Sequence, residues 1–82
     1  MPYNPWSNYW QPPWYNRQIT PQQAVQIALQ RVPGQVIKVE MDTENGILVY
    51  EINIRTAYGF YEVKVNAANG TIVDIDFDNF WW

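Results

Sequence analysis

Between Thr20 and Val32 apolar residues recur at helical spacing, with Ala24, Val25, Ala28, Leu29 and Val32 along one side and Gln22, Gln26 and Gln30 along the other. Such a stripe predicts an amphipathic helix that lays its apolar side on another layer. The start of the helix carries its own capping chemistry. Thr20 offers a hydroxyl to the first turn, Pro21 suits the first helical position, and Gln23 is placed to reach back and close a capping box. Ile19 and Ala24 have the spacing of a hydrophobic staple, and Pro33-Gly34 ends the helix. The alanines in the stripe predict a close approach to whatever lies beneath.

After Gly34 the period changes to two. Val36 to Asp42, Ile47 to Arg55, Phe60 to Val65 and Thr71 to Phe77 each alternate apolar and polar residues, which predicts four strands with one apolar face. The connections Thr43-Glu44-Asn45-Gly46, Thr56-Ala57-Tyr58-Gly59 and Asn66-Ala67-Ala68-Asn69-Gly70 each end in a glycine suited to positive φ, so all three read as hairpins. The expected fold class is α+β: one N-terminal helix packed on a four-stranded antiparallel sheet, a meander with strands in chain order.

Register follows from the rule that cross-strand partners share a face. Four-residue first and second loops set Met41 opposite Leu48, Val39 opposite Tyr50, Ile37 opposite Ile52, Ile54 opposite Tyr61, Ile52 opposite Val63 and Tyr50 opposite Val65. A five-residue third loop sets Val63 opposite Val73 and Tyr61 opposite Ile75. Tyr50, Ile52, Ile54, Val63, Val73 and Ile75 are therefore expected beneath the helix. Lys38, Glu51 and Lys64 are expected in one row on the other face, where Val36, Val49, Phe60 and Ile72 form apolar patches that one helix cannot cover.

Composition changes sharply at the two ends. Residues 1–18 form an aromatic, proline-rich tail holding Trp6, Tyr9, Trp10, Trp14 and Tyr15, residues 19–78 form the domain, and residues 79–82 form a second aromatic tail with Phe80, Trp81 and Trp82. Trp6, Trp10 and Trp14 recur every fourth residue, but Pro12 and Pro13 break that pattern as a helix. All five tryptophans lie outside the predicted core. They are expected either to fold back over the second sheet face or to dock on another molecule, since Trp and Tyr are enriched at interface hot spots and large exposed aromatic patches are costly.

Eight carboxylates against five basic side chains give a formal net charge of −3, without the Lys/Arg clustering that phosphate neutralisation needs, so nucleic acid is not an expected partner. There is no cysteine for a disulfide or thiolate metal site. The opening Met1-Pro2-Tyr3-Asn4-Pro5-Trp6 lacks the pattern of a secretory leader, and no apolar run is longer than that from Gly46 to Tyr50, far short of the ~20 residues that span a bilayer, so the chain is not expected to cross a membrane. Catalysis is poorly served. Histidine and cysteine are absent and Ser7, in the tail, is the only serine, which leaves no pairing of nucleophile and base. Asp74, Asp76 and Asp78 alternate along one strand face, which reads as a solvated edge rather than a catalytic pair, and no loop has the spacing of a calcium-binding EF-hand. Catalytic residues, cofactors and metal ligands are accordingly expected to be none.

The chain resembles the PepSY family. The resemblance lies in Ile19-Thr20-Pro21-Gln22-Gln23-Ala24 opening the helix, Val32-Pro33-Gly34 closing it, Val49-Tyr50-Glu51-Ile52 in the second strand, and the run from Val63 to Val73 at the last hairpin. Asn66 stands where the family usually has an aspartate. The resemblance implies a helix on an antiparallel sheet, no catalysis, and an extracytoplasmic location in bacteria, at the cell envelope or on spores. It also implies kinship with protease propeptides and with proteins thought to restrain proteases. Two functions are expected: from the tails and sheet edges, self-association into an oligomer or filament; from the resemblance, binding that inhibits or regulates a protease.

Overall fold

The computed structural model describes residues 18–79; the tail residues Trp6, Tyr9, Trp10, Trp14, Tyr15, Phe80, Trp81 and Trp82 lie outside them. Helix α1 (Pro21–Arg31) is followed by β1 (Gln35–Glu44), β2 (Ile47–Arg55), β3 (Gly59–Asn66) and β4 (Ile72–Asn79). The strands form one antiparallel sheet in the order β1-β2-β3-β4. The expected α+β meander under one helix is the fold observed.

The capping box closes as its residue types dictate. The Gln23 amide donates to Thr20 Oγ1 at 3.1 Å, and the Thr20 amide donates to Gln23 Oε1 at 2.8 Å. Ala24 and Ala28 are fully buried, which brings α1 down onto β2 and β3. Three further bonds moor the entry to the helix. Ile19 N–H donates to the Ala67 carbonyl at 2.8 Å, Ala67 N–H donates to the Leu48 carbonyl at 2.9 Å, and the Tyr50 hydroxyl donates to the Ile19 carbonyl at 2.9 Å. At the other end of α1, Gly34 is needed for space, because a Cβ there would stand 2.5 Å from the Arg55 carbonyl oxygen and 2.7 Å from Ile54 Cγ2.

Ile52, Ile54, Val63 and Val65 form the fully buried centre of the core, with Tyr50, Val32 and Ala67 around them. The β2–β3 register is the expected one, with Tyr50 opposite Val65, Ile52 opposite Val63 and Ile54 opposite Tyr61. The outer strands differ. Asn45 and Gly46 both have positive φ, 53° and 79°, and make a two-residue turn in place of the four-residue loop. The shift brings Met41 opposite Tyr50 and Val39 opposite Ile52, rather than Leu48 and Tyr50. A bulge between Val36 and Lys38 then leaves Ile37 without a partner and sets Val36 opposite Ile54.

β4 repeats the device. Val63 faces Ile75 and Tyr61 faces Phe77, two residues from the expected pairs, and a bulge at Val73 places Ile72 opposite Val65. Val36 and Ile72 are thereby turned to the helix side and pack on the core, whereas Val73 is 48% exposed instead of buried. Bulges add one residue to a strand and increase its local twist, so an outer strand can tuck one apolar residue under a helix too narrow to cover it.

Candidate functional site

The sheet's two faces carry different chemistry. Strand alternation places all eight carboxylates on the face away from the helix: Glu40, Asp42, Glu44, Glu51, Glu62, Asp74, Asp76 and Asp78, together with Lys38, Arg55 and Lys64. Glu51 stands opposite Lys64 as expected, but its β1 neighbour is Glu40, and Lys38 lies opposite Asn53 because of the two-residue shift. Lys38 instead pairs with Glu40 on its own strand at 3.5 Å.

Lys64 reaches diagonally across β2 to Glu44, Nζ to Oε2 at 2.7 Å, with its side chain only 16% exposed. By register the midpoint of that diagonal is Val49, which explains how a valine on the charged face comes to be fully buried. Val49 therefore sits on the expected face beneath an ion pair. Phe60 is half-buried on the same face, opposite Arg55 and Asp78, whereas Val36 and Ile72 have been carried to the other side.

Carboxylate oxygens of Asp42, Glu44 and Glu51 lie within 4.8 Å of one another. The Lys64 ammonium supplies the opposing charge, and the Glu44 contact holds its pKa above the usual 10.5. The Glu51 carboxyl is held above its usual 4.5, first by burial, then by the charges of Glu62 and Asp42 and a hydrogen bond with Glu44, while Lys64 pulls the other way. The group forms an ion-pair network that closes over Val49.

The helix side shows what the sequence reading missed. A helix is about 10 Å wide with its side chains, whereas four strands spaced about 4.8 Å apart spread over roughly 19 Å. α1 rests on the inner strands, and the outer strands are left with Val39 39%, Met41 48% and Phe77 48% exposed on the side facing it. Phe77 packs against Tyr61 with ring centroids 4.7 Å apart and the planes tilted by 46°. Along β1 the gap is a shallow groove lined by Pro21, Gln22, Val25, Gln26 and Val39. The signal was available as a length: eleven helical residues are too few and too narrow to roof the sheet.

One helix on a four-stranded meander, with a charged outer face and apolar flanks, defines a small α+β module. The family model described as "Peptidase propeptide and YPEB domain", PepSY, matches residues 18–76, and the chain belongs to that family. It is 32% identical over 62 residues to the uncharacterized protein YkoJ of Bacillus subtilis (strain 168), a match covering 74% of this chain and 36% of that protein. A crystal structure of a Clostridium difficile 630 protein, provisionally described as a lipoprotein, matches with a TM-score of 0.73 at 32% identity, covering 77% of this chain and 41% of that one. The chain thus spans well under half the length of both relatives. Membership of the family is consistent with a non-catalytic binding or regulatory role. Among the described residues no helix is long and apolar enough to cross a membrane.

Proposed function

We propose that this PepSY domain is a non-catalytic interaction module that self-associates, through its sheet edges and through docking of the tryptophan-rich tails on neighbouring copies, in an extracytoplasmic setting. The observation that carries the reading is the exposure of apolar side chains along β1, Val39 39% and Met41 48% beside a helix that does not reach over them and Ile37 48% at the bulge. Single exposed apolar residues are ordinary, but several along an edge strand are a template for another chain. The location draws on the provisional description of the structural neighbour as a lipoprotein.

Sedimentation or light scattering over a concentration series tests the reading, with mass expected to rise above 9.7 kDa as concentration increases. A monomer at every concentration removes it. The family description favours a second reading, a domain that restrains a peptidase. In that case the monomer slows peptide hydrolysis by an extracellular protease in proportion to its concentration.

A further inference from the structure

We propose that two copies pair antiparallel through β1, about a two-fold axis at Val39, to make one continuous eight-stranded sheet; the inference specifies the edge and register of the self-association proposed above and rests on it.

Edge choice follows from charge. β4 carries Asp74, Asp76 and Asp78 on alternate positions, so every same-face antiparallel pairing of β4 with itself that overlaps them opposes aspartates. Pairing β4 antiparallel with β1 so that Asp74 meets Asp42 also sets Asp76 against Glu40, with Asp78 alone meeting Lys38. β1 alone mixes signs, with Lys38 among its carboxylates.

Register follows from the same residues. Same-face pairing about a two-fold axis must centre on a residue. Centres at Lys38, Glu40 and Asp42 set each of those charges against itself. A centre at Met41 opposes Glu40 and Asp42 twice. A centre at Val39 opposes Lys38 and Glu40 twice, sets Val39 beside Val39 of the second copy, and brings Met41 level with Ile37.

The backbone agrees. Across the two-residue turn the closing pair Glu44 and Ile47 is hydrogen-bonded, so alternate residues Thr43, Met41 and Val39 turn their N–H and C=O groups outward. At Thr43 the outward N–H is already taken by Asp42 Oδ1 at 2.8 Å, which leaves Met41 and Val39 as the open part of the edge among the described residues. On the helix side the two Val39 side chains then form the floor of a trough between two helices, extending the groove lined by Pro21, Gln22, Val25 and Gln26 in each copy.

The chain has no cysteine, so single Val39→Cys and Met41→Cys variants give one thiol each. In the proposed pairing the two residues at position 39 have Cα atoms about 5.5 Å apart, within disulfide reach, whereas the two at position 41 are about 14 Å apart and are not. Under mild oxidation Val39→Cys is expected to give covalent dimer at least about tenfold faster than Met41→Cys. Lys38→Glu or Glu40→Lys alone should weaken association by about tenfold, and the double swap should restore it. These two side chains are more than half exposed, and thermal unfolding of each variant confirms that it folds. Preferential cross-linking at position 41, or a wild-type dimer indifferent to both charge reversals, overturns the β1 register while self-association stands. A wild-type protein that is monomeric throughout overturns both.

Discussion

The inner strands β2 and β3 and the outer strands β1 and β4 solve different problems with similar residues. β2 and β3 are hydrogen-bonded on both sides and roofed by α1, and their pairing runs from Val49 opposite Asn66 to Arg55 opposite Phe60 without interruption. Among the described residues β1 and β4 are each paired on one side only, each has one bulge, at Ile37 and at Val73, and each exposes apolar side chains. Where burial is complete, regular alternation suffices. Where the helix stops short, a bulge recovers one residue for the core, Val36 or Ile72, and gives up its neighbour to solvent.

The sharpest test sets one residue from each region against the other. Ile52→Ala, at the fully buried centre of β2, should cost about 2–5 kcal/mol in denaturant unfolding, a large part of a small domain's stability. Ile37→Ala, 48% exposed at the β1 bulge, should stay within about 0.5 kcal/mol of the parent. Equal costs would break the comparison. The β4 bulge sharpens it, since a regular strand would bury Val73 and expose Ile72. Ile72→Ala is therefore expected to cost about 1–2 kcal/mol and Val73→Ala about 0.5 or less, and the reverse ranking would mean that the bulge is not there.

The same two regions mark how far the sequence could be read. Helix α1, its cap, four strands and the β2–β3 register were all legible, because burial of Tyr50, Ile52, Ile54, Val63 and Val65 imposes a strict alternation. The outer registers were not, since a slip of two residues leaves every side chain on its original face and alternation is blind to it. Asn45-Gly46 was the remaining signal, the favoured pair for a two-residue hairpin turn. Nothing in the alternation announces a bulge, so Val36 and Ile72 read as belonging to the charged face. On that face Val49 was placed correctly, but its cover, a Lys64–Glu44 contact spanning three strands, depends on the β1 register that alternation leaves open.

Polar anchors of the inner region give a smaller effect. Tyr50→Phe removes the hydroxyl that β2 donates to the Ile19 carbonyl and should cost about 1 kcal/mol, with faster hydrogen exchange in the first turn of α1. Thr20→Ala opens the capping box beside it for a similar cost, about 1 kcal/mol. If neither change is felt in unfolding, the helix is held by burial of Ala24 and Ala28 alone.

On the charged face the expected effect is smaller again and depends on pH. A carboxyl whose pKa is higher in the folded chain makes folding take up protons. Its favourable contribution is complete below the unfolded value and is lost as pH rises through the folded one, which for Glu51 lies above 4.5. Glu51→Gln is insensitive to that loss. The variant should be slightly more stable than the parent at pH 7, by less than about 0.5 kcal/mol because solvent screens the site, and the gap should close as pH falls towards the usual glutamate value. A gap that widens on acidification would show that Lys64 outweighs burial and the neighbouring carboxylates.

Removing residues 1–16 should perturb the domain least of all. Among the described residues, the fully buried members of the cluster beneath α1 come from the helix, the strands and the Ala67 turn. Thermal unfolding of the shortened chain is therefore expected to match the parent. Its assembly is not. A pairing through β1 closes on itself as a two-fold dimer, whereas tails docking from one copy to the next add an open-ended contact that can build filaments. The shortened chain should retain the dimer and lose larger species, as read by light scattering at matched concentrations. Tails that instead cover their own domain predict the opposite pair of results, a lower unfolding midpoint and increased aggregation. Unchanged large assemblies in the shortened chain would assign higher-order association to the sheet flanks, with Val73 and Phe77 on β4 as the next residues to substitute.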